Sequence, residues 1–231
     1  YVGNEDNIAY LPATFAEYLN SLGKQTKKHA KYYIGRIVRD FPAVEFVYNS
    51  GSEITDEDYW KDCEYSDQRM HFKHSVYGSD AADKLLNEKI KTHNGFGYFV
   101  KIDNEVKAGC LGYIHGQHLY LSKISHDVAW NNYNLGNVVL LKLIEYCIDH
   151  KITHFHFLWG KNVDYKVRFG GVCTPLTSYY FYNSNAKRLY RKDRFDIWVK
   201  GTKKGVRDYL SSKKGLKKIW KAIRYKINNL S

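Results

Sequence analysis

Apolar residues recur at helical spacing at Phe15, Tyr18, Leu19 and Leu22, and the spacing resumes at Tyr33, Ile37 and Phe41. This predicts a mostly helical stretch over 15–40, broken or kinked at Gly23 and stopped by Pro42. AVEFVY (Ala43–Tyr48) reads as a short strand closed by the turn residues NSGS. Thr55 opens a second helix, acidic in its first turn, that runs with interruptions toward His74. A third helix is expected over Ser79–His93, capped by Ser79 or Asp80 and stopped at Asn94-Gly95. The period then falls to two. GYFVKID, VKAGCLGYI and HLYLSKIS are three strands, joined by tight turns at Asp103-Asn104 and at His115-Gly116-Gln117. Val138–Ile148 is apolar almost all round and predicts a buried helix. THFHFLW (Thr153–Trp159) is a strand. A short helical turn follows over Asp164–Phe169, then a strand over Leu176–Tyr182 and one more over Asp196–Lys200. Leu119–Trp159 thus forms a β-loop-α-β unit, whose two strands should run parallel.

The 231 residues are 44% hydrophobic and 16% aromatic, enough for one sizeable core. The chain opens at Tyr1 and is read as a fragment or processed product. No apolar run nears the roughly 18–20 residues that cross a bilayer, and no signal-peptide pattern opens the chain. Cys63, Cys110, Cys147 and Cys173 form no C-x-x-C pair, which points away from a disulfide framework or zinc site and toward a reducing, cytoplasmic setting. The net charge of +12 is uneven. Asn183–Ser231 holds 16 Lys and Arg against 3 Asp, while the body before it is close to neutral. That distribution argues against a whole protein built to grip nucleic acid. In the tail, Leu216, Ile219, Trp220, Ile223 and Ile227 share one helical stripe, with lysines on the other faces. Such a helix can dock on the body, lie on an anionic membrane surface or contact RNA.

The chemistry concentrates in SHDVAWNNYNLGNVV (Ser125–Val139). A helix that starts just after a strand presents unpaired N–H groups backed by its dipole. Gly136 admits close approach to the backbone, and Asn134 or Asn137 can cap the helix or donate to an oxygen. Backbone amides in neutral surroundings suit a pyrophosphate. His126 has the pKa of a base near neutrality, and Asp127 can orient it or hold a hydroxyl. His154 and His156 alternate on a strand and share a face, but two histidines without a third ligand do not make a metal site.

Three stretches carry a family resemblance: TFAEYLNSLGKQTKKHAKYYIGRI ahead of the first strand, HDVAWNNYNLGNVVLLKLIEYCIDHKITHFHFLWG, and DYKVRFGG. In their order, over roughly residues 13–185, the chain resembles the GNAT acyltransferases and, more narrowly, the CelD-like acetyltransferases found with bacterial polysaccharide synthesis genes. The resemblance implies an α/β fold with a mixed central sheet in the order β-α-α-β-β-β-α-β-α-β. It implies an N-terminal helical segment over 1–42, an acyltransferase domain over 43–201 and a basic tail over 202–231. It implies acetyl-coenzyme A or another acyl-coenzyme A as cosubstrate, no metal, and a small-molecule or lipid-linked sugar acceptor. Tyr133, Asn134, Leu135, Gly136, Asn137, Asn162 and Lys166 are then expected at the coenzyme. Tyr165 is the expected acid toward the leaving thiolate, with His126 and Asp127 as further catalytic or acceptor-binding groups. Arg168, like Lys166, can meet phosphate or an anionic acceptor. Leu135 stands where the family usually has proline. Two other readings compete: a Fem-type transferase using aminoacyl-tRNA, although this sequence shows no counterpart of the long helical arm those enzymes insert, and a non-enzymatic basic binding module.

Overall fold

The computed structural model describes residues 2–72, 87–91, 94–158, 164–177 and 194, 195, 198 and 202. The chain divides into two compact units. The larger, Glu5–Thr174, holds the elements discussed below.

Thr14 starts the first helix with a capping box, accepting from the Glu17 amide while the Glu17 carboxylate takes the Thr14 amide. Helix α1 (Phe15–Ser21) ends at Leu22, and α2 (Lys24–Asp40) restarts at Gly23 and stops at Phe41, before Pro42. The break expected at Gly23 thus divides the stretch into two helices. Strand β2 (Glu45–Ser50) and α3 (Asp56–Phe72) follow. Residues 87–90 are helical; the rest of the helix expected over Ser79–His93 lies largely outside the described residues. Strands β3 (Gly95–Ile102), β4 (Glu105–His115) and β5 (His118–His126) form the antiparallel core. Asp103 and Asn104 both take positive φ (54° and 64°), as a two-residue hairpin loop requires. A 3₁₀ turn (Val128–Tyr133) leads into α4 (Leu135–Asp149). Then come β6 (His154–His156), α5 (Asp164–Arg168) and β7 (Val172–Thr177).

The sequence reading missed one strand. Val2–Tyr10 is β1, and it pairs antiparallel with β6 through Ile8↔His156, Ala9↔Phe155 and Tyr10↔His154. The result is a seven-stranded mixed sheet in the order β2-β3-β4-β5-β6-β1-β7. Strand β7 covers Val172–Thr177, and most of the strand expected over Leu176–Tyr182 lies outside the described residues. Trp198, expected in a strand, is helical.

Helix α4 buries Leu135, Val138, Val139, Leu140, Leu141, Leu143, Ile144, Cys147 and Ile148. They join residues of β3–β5 and of α1 and α2 (Tyr18, Leu22, Ala30, Ile37) in one core. Each fully buried aliphatic contributes roughly 1.5–3 kcal/mol. The first two helices thus share the core with β3–β5 and α4. On the other face, α3 closes a smaller core of Ile54, Tyr59, Cys63, Tyr65, Ile90, Phe99, Val106 and Leu111. Cys63, Cys110 and Cys147 are buried and form no disulfide; Lys123 Nζ donates to Cys63 Sγ at 3.0 Å. No helix among the described residues is long and apolar enough to cross a membrane.

The second unit comprises Tyr1–Asn4 and Pro175–Ser231. Within it Phe195 and Trp198 are exposed and form a tilted ring pair 6.1 Å apart. The predicted amphipathic helix around Leu216–Ile227 lies outside the described residues.

Candidate active site

Strands β5 and β6 run parallel through three rungs only: His118↔His154, Leu119↔Phe155 and Tyr120↔His156. Beyond Tyr120, β5 continues to His126 held by β4 alone, through Ala108↔His126. Past His156 the chain turns to β1, where the Phe157 amide donates to Asn7 O at 2.8 Å. The two strands therefore part. Among the described residues, one edge of β5 beyond Tyr120 has no ladder partner, which leaves a gap in the sheet. The β4–β5 ladder slips at the same level, leaving Ser122 outside the register.

The loop above the gap is built to start α4 abruptly. Asn134 sits in the left-handed region (φ 52°, ψ 42°), which asparagine tolerates better than most residues. Its carbonyl accepts the amides of Asn137 (2.9 Å) and Val138 (3.1 Å), and its side-chain oxygen accepts from Asn137 Nδ2 (3.0 Å). The amides of Leu135 and Gly136 have no acceptor among the described residues. These are the orphan donors of a helix start, carrying the positive end of the dipole. Leu135 is fully buried, so packing anchors the first turn where the family resemblance leads one to expect proline. A Cβ on Gly136 would lie 2.8 Å from His126 Nδ1, so glycine also lets the helix start close over that ring.

The residues around this point divide by task. Tyr133 is turned to α2. Its hydroxyl donates to Asp40 (3.3 Å), the Arg36 guanidinium lies 4.4 Å over its ring, and Phe41 and Trp130 complete the cluster. Arg36 also donates to the Asn132 carbonyl at 3.0 Å, so the basic helix α2 holds the loop. The hydrogen bond from Arg39, aided by Arg36, keeps the Asp40 carboxyl below its ordinary value. Asp127 caps the 3₁₀ turn by accepting the Ala129 amide at 2.9 Å. His126 pairs through Nε2 with Asn131 (3.0 Å) and lies beneath Gly136.

On the far side of the gap, Tyr165 sits on α5, its ring edge-on to Phe157 at 6.3 Å. The expectation that Lys166 meets coenzyme phosphate is corrected. Its ammonium is 5% exposed and donates to the carbonyls of Phe157 (2.6 Å) and Leu158 (2.9 Å). Burial holds it below an ordinary lysine, against the opposing pull of Asp6. It pins the chain leaving β6, where Leu158 takes φ 56°. Arg168 is exposed and bonds only weakly back to the Asp164 carbonyl at 3.4 Å. Asn162 lies outside the described residues. Among the described residues no three His, Cys, Asp or Glu side chains are placed to hold a metal ion.

A parted parallel strand pair and a bulge lie beside a helix start whose first two amides lack an acceptor among the described residues, and a helix start of this kind favours anions. A family model described as an acetyltransferase (GNAT) domain matches residues 44–167. Among solved structures the chain is similar to FemX, with TM-score 0.60 at 10% identity, covering 74% of this chain and 59% of that one. It is also similar to L-PGS from Bacillus licheniformis (TM-score 0.51, 10% identity, 76% and 59% covered). A third is the C-terminal domain of a protein described as a lysylphosphatidylglycerol synthetase from Agrobacterium fabrum (TM-score 0.52, 9% identity, 76% and 59% covered). The chain thus spans 59% of each of these structures, and at such identities they speak for the fold alone. No curated protein matches the chain. The family match covers more than half of the sequence, and the chain belongs to the GNAT acetyltransferase domain family.

Proposed function

We propose that this acyltransferase moves an acyl group from acyl-coenzyme A to an amine or hydroxyl of a sugar or polysaccharide precursor. The observation that carries the reading is the end of the β5–β6 ladder at Tyr120↔His156, below a helix start with two uncommitted amides. The start of α4 would hold the pyrophosphate, with Gly136 as its accessible amide, and each negative charge there gains roughly 0.3–1 kcal/mol from the helix dipole. The coenzyme supplies the activated acyl thioester. This chain orients it in the gap so that the acceptor attacks directly, with proximity providing much of the rate. Tyr165, on α5 beside Phe157, would supply the proton for the departing thiolate. The sugar acceptor rests on the CelD-like resemblance, and the basic tail would bring the enzyme to lipid-linked acceptors on an anionic membrane.

Tyr165→Phe is expected to lower thiol release from acetyl-coenzyme A, with amino sugars as acceptors, at least about tenfold. Coenzyme affinity should be kept. Unchanged turnover removes Tyr165 from the mechanism.

A second reading, aminoacyl transfer of the Fem type, draws support from the similarity to FemX. Tight binding of aminoacyl-tRNA with no binding of any acyl-coenzyme A would favour it.

A further inference from the structure

Helix α2 has an inner and an outer side. Ala30 and Ile37 are buried in the α4 core, and Arg36 reaches sideways to the loop before α4 through the Asn132 carbonyl. At about 100° per residue, the side opposite Ala30 and Ile37 carries Lys24, Lys28, Lys31, Gly35 and Arg39. All five are exposed. Tyr32 and Val38 flank them, 54% and 46% exposed. The face runs about 22 Å from Lys24 to Arg39.

This face holds no acid. Asp40 is the one acid of the helix, and it lies on the flank toward the loop, where Arg36, Arg39 and Tyr133 take it up. Lys24, Lys28 and Lys31 make no hydrogen bond or ion pair among the described residues. The arrangement works against the helix itself. Lys24 and Lys27 stand near its start, where the dipole disfavours cations, and the first turn has no acid to offset them. Lys24 and Lys28 are four apart and Lys28 and Lys31 three apart, so their ammonium groups repel. A helix side that meets only water commonly intersperses acids at these spacings. A continuous anionic surface would offset both costs.

The residues beside the lysines select among anionic surfaces. Tyr32 pairs an apolar ring with a polar tip, and lysine stems are apolar below their ammonium groups. Such side chains suit the boundary between headgroups and acyl chains, which a helix can meet along its whole length. A nucleic acid would meet the ammonium groups but leave Val38 and the lysine stems against water and phosphate.

We propose that the outer face of α2 docks on a membrane surface of anionic lipid headgroups, with Lys24, Lys28, Lys31 and Arg39 on the phosphates and Tyr32 at headgroup level. The contact belongs to this helix and is separate from any contact of the basic tail. Because Arg36 ties α2 to Asn132, docking would set the loop before α4 about one helix diameter from the lipid.

The test uses the full chain and sedimentation with vesicles of equal parts phosphatidylserine and phosphatidylcholine, against phosphatidylcholine alone. The wild type should bind the anionic vesicles, less so as salt rises. Lys24→Gln, Lys28→Gln and Lys31→Gln together should weaken that binding at least about tenfold, and Tyr32→Ser should weaken it further. Removing the same charge at Lys61, Lys91 and Lys107, which pair with Glu64, Asp56 and Glu105, should change it less than about twofold. Circular dichroism confirms that each variant is folded. Equal losses in the two triple variants would mean that net charge alone binds, and would overturn the proposal. An α2 variant that binds like the wild type would overturn it too, as would α2-dependent binding of single-stranded RNA without binding of vesicles. Calorimetric titration with acetyl-coenzyme A keeps the outcome apart from the acyltransferase reading. The α2 variant should bind the coenzyme like the wild type; a matching loss would assign the lysines to coenzyme phosphates and overturn the lipid contact.

Discussion

Gly136→Trp is expected to weaken acetyl-coenzyme A binding by at least about 100-fold, a loss of roughly 2.7 kcal/mol. The residue does two things that a side chain would end. Its amide is one of two at the α4 start with no acceptor among the described residues, and its bare Cα leaves that amide approachable. It also closes over His126, where a Cβ would sit 2.8 Å from Nδ1. Gly136→Ala separates the two effects. One methyl pushes the ring aside by a few tenths of an ångström and should cost modest stability while leaving most of the affinity. Calorimetric titration of both variants, with circular dichroism to confirm folding, checks this. A folded Gly136→Trp protein that binds like the wild type would move the coenzyme elsewhere.

Lys166→Met should lower stability by about 2 kcal/mol, because the Phe157 carbonyl loses its buried donor. The Leu158 carbonyl keeps the Asn7 side chain at 3.1 Å but loses the ammonium. Relief from burying the charge offsets part of the loss, while the positive φ of Leu158 loses its support. For a chain of this size that is a drop in Tm of about 4–8 °C, measured by scanning calorimetry. A drop below about 2 °C would mean that the two carbonyls find other donors.

The antiparallel core was legible because its signals are local. Alternation marks β3–β5, the Asp103-Asn104 turn takes the positive φ its residues permit, and the all-round apolar run of α4 can only be buried. β1 was not legible. VGNEDNIAY has no apolar alternation, and its partner β6 lies some 150 residues away in sequence. Asp6 therefore could not be seen meeting His156, and the two histidines of HFH looked like an incomplete metal site. Lys166 misled for a related reason. Beside a tyrosine on a short helix it reads as a solvent-facing phosphate ligand, and only tertiary packing turns it inward. Asp127 and His126 close β5, and their hydrogen bonds to Ala129 and Asn131, which the sequence does not announce, tie them to the loop that follows.

The central proposal is that the start of α4, around Gly136, holds the coenzyme pyrophosphate. The most direct measurement is a ¹H–¹⁵N NMR titration of the labelled chain with acetyl-coenzyme A. The account predicts that the Leu135 and Gly136 amides move furthest among backbone signals and saturate together at one coenzyme per chain. Saturating coenzyme that leaves both amides unmoved would contradict it.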